Sequence, residues 1–117
     1  MLVIIELRTA KERVKELLNE LENTRFVWDD DKHDSNIEKH GVLFPEAVSV
    51  FDDPHAIYYY DERHSNDEER FIIIGMSEID AVLVVCHCYR NGDSFTRIIS
   101  ARKATRQEHS KYMEGRG

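Results

Sequence analysis

The sequence has no apolar run that approaches the roughly 20 residues needed to span a bilayer. Residues 2–5 are apolar, but this run is too short for a secretory signal and no basic segment precedes it. We therefore expect a cytoplasmic protein without a membrane partner. Cysteine is also scarce. Cys86 and Cys88 lie two positions apart, too far along one strand for a relaxed disulfide, so we expect both to be reduced.

Several ligand-binding and catalytic motifs are missing as well. There is no Gly-rich phosphate loop, no Ser/His/Asp arrangement, and no helix-turn-helix with a basic recognition helix, which argues against a transcriptional regulator. The histidines lack the spacing of zinc ligands, so we expect neither a metal nor a cofactor. They are His33, His40, His55, His64, His87 and His109.

Charge is distributed unevenly along the chain, whose formal net charge is −7. Residues 26–70 carry a net charge of −9, whereas residues 71–117 carry +2. The basic groups therefore concentrate where strands are expected. A protein with this polarity can offer one face to a phosphate backbone and another to a basic partner.

Helix signals occupy the first half of the chain. Within residues 1–25, Thr9 and Glu12 have capping-box spacing, and the leucines that follow them in the sequence form one apolar stripe of a predicted amphipathic helix. A second helix is predicted over residues 30–40 and is ended by Gly41. Pro45 fits the first turn of a third helix, which Asp53 and the proline after it stop.

Strand signals fill most of the second half. Residues 26–28 and 56–60 are short candidates, and residues 61–69 read as a long exposed loop. Strands are then predicted over 70–76, 81–90 and 94–102, with a hairpin signal at Asn91 and Gly92. Thr105 and Glu108 form a further capping box, which starts a C-terminal helix ending at Gly115. Consecutive strands and segregated helices predict an α+β fold with an antiparallel meander.

Six motifs in order resemble the BrnT family of toxins over about residues 26–112. They are F-V-W-D at 26–29, K-H-G-V at 39–42, E-A-V-S-V-F-D-D-P at 46–54, E-E-R-F-I-I-I-G at 68–75, L-V-V-C-H at 83–87 and R-I-I-S-A-R-K-A-T at 97–105.

The resemblance implies a RelE-like α+β fold, with an antiparallel sheet of four to five strands packed against N-terminal helices and a C-terminal helix. It implies a ribonuclease toxin of a type II toxin-antitoxin system that inhibits translation. A BrnA-type antitoxin would neutralise it and alone would contact DNA, and the toxin would form a homodimer. Family members begin near residue 26, so we divide the chain into an additional N-terminal helical segment (1–25) and a toxin domain (26–117). The leucine stripe then covers either a dimer surface or the domain's own core.

Strand parity suggests a candidate catalytic centre. If the turn over residues 77–80 places Met76 opposite Ala81, Arg70 lies opposite His87. A three-residue loop after Arg90 would also set His87 opposite Arg97, whereas a two-residue loop would move Arg97 to the other face. We prefer the first register, with both arginines binding phosphate and His87 transferring protons. The alternative is that these groups are simply paired with carboxylates.

Further candidates lie at the ends of predicted elements. Arg102, Lys103 and Arg106 would form an RNA-binding edge, with Arg102 assisting at the scissile phosphate, or would make ordinary salt bridges. Lys39 is a further RNA-binding candidate. His40 is either a catalytic base or a helix cap. Glu69 either orients Arg70, acts as the base, or is an exposed loop end.

Two functions are compatible with these residues. The first is an endoribonuclease that cleaves RNA by attack of the 2′-OH without a metal. The second is a non-catalytic interaction or regulatory protein of the same fold, whose acidic segment 61–69 docks an antitoxin-like partner.

Overall fold

A computed structural model describes residues 25–90, 92 and 94–116, and it confirms the predicted α+β fold. The helix predicted within residues 1–25 lies outside these residues, apart from Arg25. The strands are β1 (Phe26–Val27), β2 (Ile57–Tyr60), β3 (Phe71–Met76), β4 (Val82–Arg90) and β5 (Phe95–Lys103). The helices are α1 (Asp30–His40), α2 (Phe44–Ser49) and α3 (Arg106–Arg116), and 3-10 turns span Val50–Asp52 and Glu62–His64.

Local signals in the sequence determine where α1 begins and ends. The Asp29 carboxylate accepts a hydrogen bond of 3.1 Å from the backbone N–H of Lys32. Gly41 adopts a left-handed φ of 67° and donates its N–H to the Ile37 carbonyl at 2.8 Å. The helix therefore spans the predicted residues 30–40, with Asp29 as its N-cap and Gly41 as the predicted stop. None of the described helices combines the length and apolar character needed to cross a bilayer.

The five strands form one sheet in the order β1-β5-β4-β3-β2. Strands β2 to β5 are an antiparallel meander, as predicted. Strand β1 instead runs parallel to β5, with Phe26 opposite Thr96 and Val27 opposite Arg97. The sheet is therefore mixed and not wholly antiparallel.

The main hydrophobic core covers one side of the sheet, which we call the core face. Its strand residues pack against side chains from α2 and the segments beside it, in a cluster made by Val42, Phe44, Ala47, Val50, Ile73, Leu83, Val85, Ile98 and Ala101. The opposite side, the open face, is covered by α3 at one end, where Tyr112 packs against Ile74 and Val84. Elsewhere on the open face, the described residues line a cavity.

Asp53 anchors α3 to the sheet. Its carboxylate accepts hydrogen bonds from the Tyr112 hydroxyl, from the N–H of Met76 at 2.7 Å and from the N–H of His55 at 2.9 Å. Burial alone would raise the pKa of the Asp53 carboxyl, but these hydrogen bonds bring the pKa below its ordinary value. The end of α3 is thereby fixed over β3.

The predicted strand registers were wrong. The connection from β3 to β4 spans five residues, 77–81, so Phe71 lies opposite His87 and Arg70 does not. Between β4 and β5, Arg90 lies opposite Phe95 and a β-bulge interrupts the pairing at Cys86 and His87. Because the connection between the two strands spans four residues, 91–94, and not the predicted three, Arg97 lies opposite Cys88 instead of His87. Each one-residue shift moves a side chain to the other face.

Candidate functional site

The predicted partners Arg70 and His87 occupy opposite faces of the sheet. His87 is 0% exposed and points into the core face, where its ring contacts Phe51, Phe71 and Tyr89. Its Nε2 lies 3.2 Å from the Tyr89 hydroxyl. Burial lowers the pKa of His87 to about 4, so the ring is neutral at pH 7. This placement gives no support to the predicted proton-transfer role of His87.

Arg70 instead lines a cavity of about 390 Å³ on the open face, which we call the sheet cavity. Its guanidinium is partly buried and comes no closer than 3.6 Å to the Glu68 carboxylate. The Nε atom is buried and has no hydrogen-bond partner in the part of the chain that the structure describes. A buried donor without an acceptor is costly, so Arg70 is suited to an anionic ligand that supplies one.

A carboxylate–imidazole pair forms one wall of the sheet cavity. The Nδ1 atom of His64 lies 3.0 and 3.2 Å from the two carboxylate oxygens of Asp61. The Asp61 side chain is only 10% exposed, whereas that of His64 is 64% exposed. Because Asp61 contacts Nδ1, the Nε2 edge of the ring is left to face solvent or a substrate. The arrangement is that of an oriented general base.

Arg102 forms the opposite wall and is already paired. Its two terminal nitrogens donate to the two Glu108 carboxylate oxygens at 2.7 and 3.0 Å. This hydrogen bonding raises the pKa of Arg102 and lowers that of Glu108 to about 2. The Glu108 carboxylate also accepts a hydrogen bond from the Thr105 N–H at 2.8 Å, and the Glu108 N–H donates to the Thr105 hydroxyl oxygen at 3.2 Å, which confirms the predicted capping box. The helix continues past Gly115, where we had predicted its end.

The cysteines are free thiols on the open face, opposite the side that holds His87. Cys86 lines the sheet cavity, and burial raises its pKa to about 11, so it is a neutral thiol there. Cys88 is buried more deeply, and its pKa is also raised by burial. Within the described residues, no group of three His, Cys, Asp or Glu side chains is arranged to hold a metal ion.

The other predicted site residues are dispersed. Arg97 shares the open face but does not line the sheet cavity, and neither do Lys103 and Arg106. Glu69 borders a different cavity of about 450 Å³, beside Phe71. The site therefore gathers only part of the predicted set.

Lys39 and His40 do line a second cavity of about 240 Å³, which we call the α1 cavity. It shares Ile99 and Ser100 with the sheet cavity, so the two are neighbours on the surface.

Sequence reasoning missed His64, Asp61 and Ser100. The segment 61–69 was read as an exposed loop, yet it contains the 3-10 turn Glu62–His64 and is tied back to β3 by a bond of 2.9 Å from the Asp61 N–H to the Arg70 carbonyl. A carboxylate three residues before a histidine was the available signal, since a tight turn brings positions i and i+3 together. Ser100 had no such signal, because its exposure depends on the β-bulge.

The sheet order and the arginine-lined cavity define a small α+β protein with a site suited to phosphate. A family model for BrnT, described as the ribonuclease toxin of a type II toxin-antitoxin system, matches residues 28–108. The chain belongs to this family of ribonuclease toxins. Its fold is similar to the crystal structure of the Brucella abortus ribonuclease toxin BrnT, with a TM-score of 0.54 and 24% identity over 69% of this chain and 96% of that chain. No curated protein matches the sequence.

Proposed function

We propose that the sheet cavity is the nuclease centre and that it cleaves RNA by attack of a ribose 2′-OH on the adjacent phosphate. The observation that carries this proposal is the buried, unpartnered Nε of Arg70 beside the Asp61–His64 pair. In this scheme Arg70 donates to a non-bridging phosphate oxygen. An acceptor placed there satisfies the arginine and neutralises charge as the transition state forms.

His64 acts as the base. Its Nε2 takes the 2′-OH proton while the 2′ oxygen forms a bond to phosphorus and the bond to the 5′ oxygen breaks. The products are a 2′,3′-cyclic phosphate and a 5′-OH, whose proton comes from solvent at the open side of the cavity. Asp61 holds the ring and stabilises the imidazolium that forms. General-base catalysis of this kind contributes about 10²–10⁴-fold in rate.

Arg102 serves as a second cation whose charge is partly neutralised by Glu108. Its position on the wall opposite His64 allows it to contact the substrate backbone. Its two hydrogen bonds to the Glu108 carboxylate, which we call the fork, fix its orientation. The scheme needs no metal, since the chain's own side chains supply the base and the positive charge. His87, Arg97 and Glu69 have no part in it.

The partner proposals follow from family membership. We propose that a BrnA-type antitoxin neutralises the toxin in the cytoplasm, that DNA is contacted only through the antitoxin, and that the toxin forms a homodimer. Expression of the chain alone should arrest growth, and co-expression with the protein encoded beside it should restore growth. Failure of the neighbouring gene product to bind the purified chain would contradict the antitoxin proposal.

The non-catalytic alternative relied on segment 61–69 as a docking patch. Two of its five carboxylates instead make contacts within the chain: Asp61 holds His64, and Glu68 contacts Arg90 at 3.1 Å as well as Arg70. These contacts favour the catalytic proposal.

Cleavage of RNA by the purified chain tests the proposal. A labelled single-stranded RNA should be cut in the presence of a chelator and should leave cyclic phosphate ends. Arg70→Gln should lower the single-turnover rate by about 10²-fold or more, as loss of one stabilising donor does. Arg116→Gln removes an exposed arginine of α3 that lines neither cavity and should behave as wild type. Equal rates in the Arg70 variant and wild type, or abolition by the chelator, would contradict it.

A further inference from the structure

Helix α1 separates its charges onto two faces. Lys32 and Lys39 lie at positions i and i+7, which fall on the same face of a helix with 3.6 residues per turn, beside the imidazole of His40 at i+8. The acidic residues of this helix lie on the opposite face: Asp30, Asp31, Asp34 and Glu38. A positive stripe therefore exists on a chain whose formal net charge is −7.

The positive stripe borders the α1 cavity. Lys32, Lys39 and His40 line one side, while Ile99 and Ser100 of β5 line the other. The β-bulge explains why two successive strand residues face outward together, since Ile98 and Ala101 on either side are both in the core.

The same two residues of β5 also line the sheet cavity. The two cavities therefore adjoin at the bulge, with Arg70 lining the sheet cavity and Lys32 and Lys39 lining the α1 cavity, and we call the two together the groove.

A buried asparagine fixes α1 against β5. The Asn36 amide donates to the carbonyls of Val42 at 3.0 Å and Ala101 at 2.8 Å, and its oxygen accepts the Ala101 N–H at 3.0 Å. Asn36 thus takes the place of a neighbouring strand beyond the point where β1 ends. This double contact sets the position of the helix relative to the bulge, so the lysines are held beside the groove before any ligand binds.

We propose that the α1 cavity binds the phosphate next to the scissile one in a single-stranded RNA. The proposal rests on the proposed function and extends it to a substrate of more than two nucleotides. Lys32 and Lys39 supply the positive charge for a backbone that crosses the bulge at Ile99 and Ser100. A positive groove that follows the backbone is the usual arrangement for single strands. Such a site adds affinity without adding chemistry.

Binding of a non-cleavable RNA tests this subsite apart from catalysis. The probe is a 2′-O-methyl hexanucleotide labelled with fluorescein, measured by anisotropy over a series of salt concentrations. Lys32→Gln with Lys39→Gln should weaken binding about tenfold near 0.1 M salt. Loss of this one phosphate contact should also reduce the slope of log K against log salt by about 0.7. Lys32→Arg with Lys39→Arg should restore both values.

The control removes the same charge elsewhere. Lys111→Gln with Arg116→Gln changes two exposed cations of α3 that line neither cavity of the groove, and it should bind as wild type. A labelled dinucleotide with a single phosphate should be cleaved equally by wild type and by the α1 double variant, because it reaches only the sheet cavity.

Separate results would overturn the two proposals. Unchanged hexanucleotide affinity and salt slope in the α1 variant, with cleavage that still depends on Arg70, would refute only the subsite. Loss of affinity in the α1 variant, with no cleavage by wild type, would refute only the nuclease centre. Equal loss in the α3 control would mean that general charge and not the groove attracts RNA, and tighter binding of a duplex would contradict a single-stranded ligand.

Discussion

Asp61 and His64 form a carboxylate–imidazole pair whose Nδ1–oxygen distances are 3.0 and 3.2 Å. The pair is held over the sheet cavity by a 3-10 turn and is the only such pair among the residues that line this cavity in the described structure. A partly buried carboxylate that contacts Nδ1 keeps the exposed imidazole ring oriented. This relationship, and not the buried His87, provides the base in the proposed mechanism.

His64→Asn should reduce the single-turnover cleavage rate by about 10²–10⁴-fold, because it removes the group that accepts the 2′-OH proton. Asp61→Asn should cause a smaller loss, since the ring remains but is less well oriented. His109→Asn is the matched control, because His109 is an exposed histidine of α3 outside both cavities. A His64 variant that cleaves as fast as this control would exclude His64 as the base.

Glu108→Gln should affect stability and RNA affinity in opposite directions. The substitution weakens the capping box and the fork with Arg102, so urea unfolding should show a loss of about 1 kcal/mol. It also leaves the charge of Arg102 unneutralised beside the sheet cavity, so the Kd for a 2′-O-methyl RNA should fall. Glu114→Gln, a change at an exposed position of the same helix, should alter neither quantity. Weaker RNA binding by Glu108→Gln would show that the fork is needed to position Arg102.

The stability contribution of Glu108 should depend on pH in a defined direction. Its pKa is lowered to about 2 in the folded state from an ordinary value of 4.5, chiefly by the hydrogen bonds from Arg102. A lowered carboxyl pKa stabilises the fold above the unfolded-state pKa, and this contribution disappears as the pH falls from about 4.5 towards 2. The difference in unfolding free energy between wild type and Glu108→Gln should therefore shrink over that interval. A difference that stays constant would contradict the pairing.

Several helix ends could be predicted from local signals in the sequence. Asp29 and Gly41 define the ends of α1 through contacts within one helical turn, and Thr105 with Glu108 does the same for the start of α3. These groups act on backbone atoms only a few residues away, so their effect does not depend on the rest of the fold.

The candidate site depended on longer-range geometry. The five-residue turn after β3 and the four-residue connection after β4 set which residues face each other. The bulge at Cys86 and His87 then leaves Ile99 without a cross-strand partner, and no local signal marks the bulge or fixes either length. Alternation along β4 accounts for Cys86 and Cys88 on the open face and His87 on the core face. It could not reveal that His64 returns to the sheet, because that depends on how a polar segment folds back on Arg70.

His87→Phe should separate a core role from a catalytic one. The folded-state pKa of about 4 lies below the ordinary value of 6.5, so the unfolded chain binds a proton more readily. Wild type should therefore lose about 2 kcal/mol of stability between pH 7.5 and pH 5, and the variant should lose less. Cleavage at pH 7.5 should persist in the variant. Loss of cleavage in a folded variant would instead support a catalytic role for His87.

The most direct test of the nuclease centre follows the Nε–H of Arg70 by NMR while a 2′-O-methyl dinucleotide is added. The Arg70 signal is assigned by its absence in Arg70→Lys. We expect it to shift downfield and to become protected from exchange with water, because the phosphate supplies the acceptor that this buried donor lacks. The account would be contradicted if the dinucleotide bound without moving the Arg70 signal. Binding that instead shifted signals from the core face, such as those of His87, would place the ligand on the wrong side of the sheet.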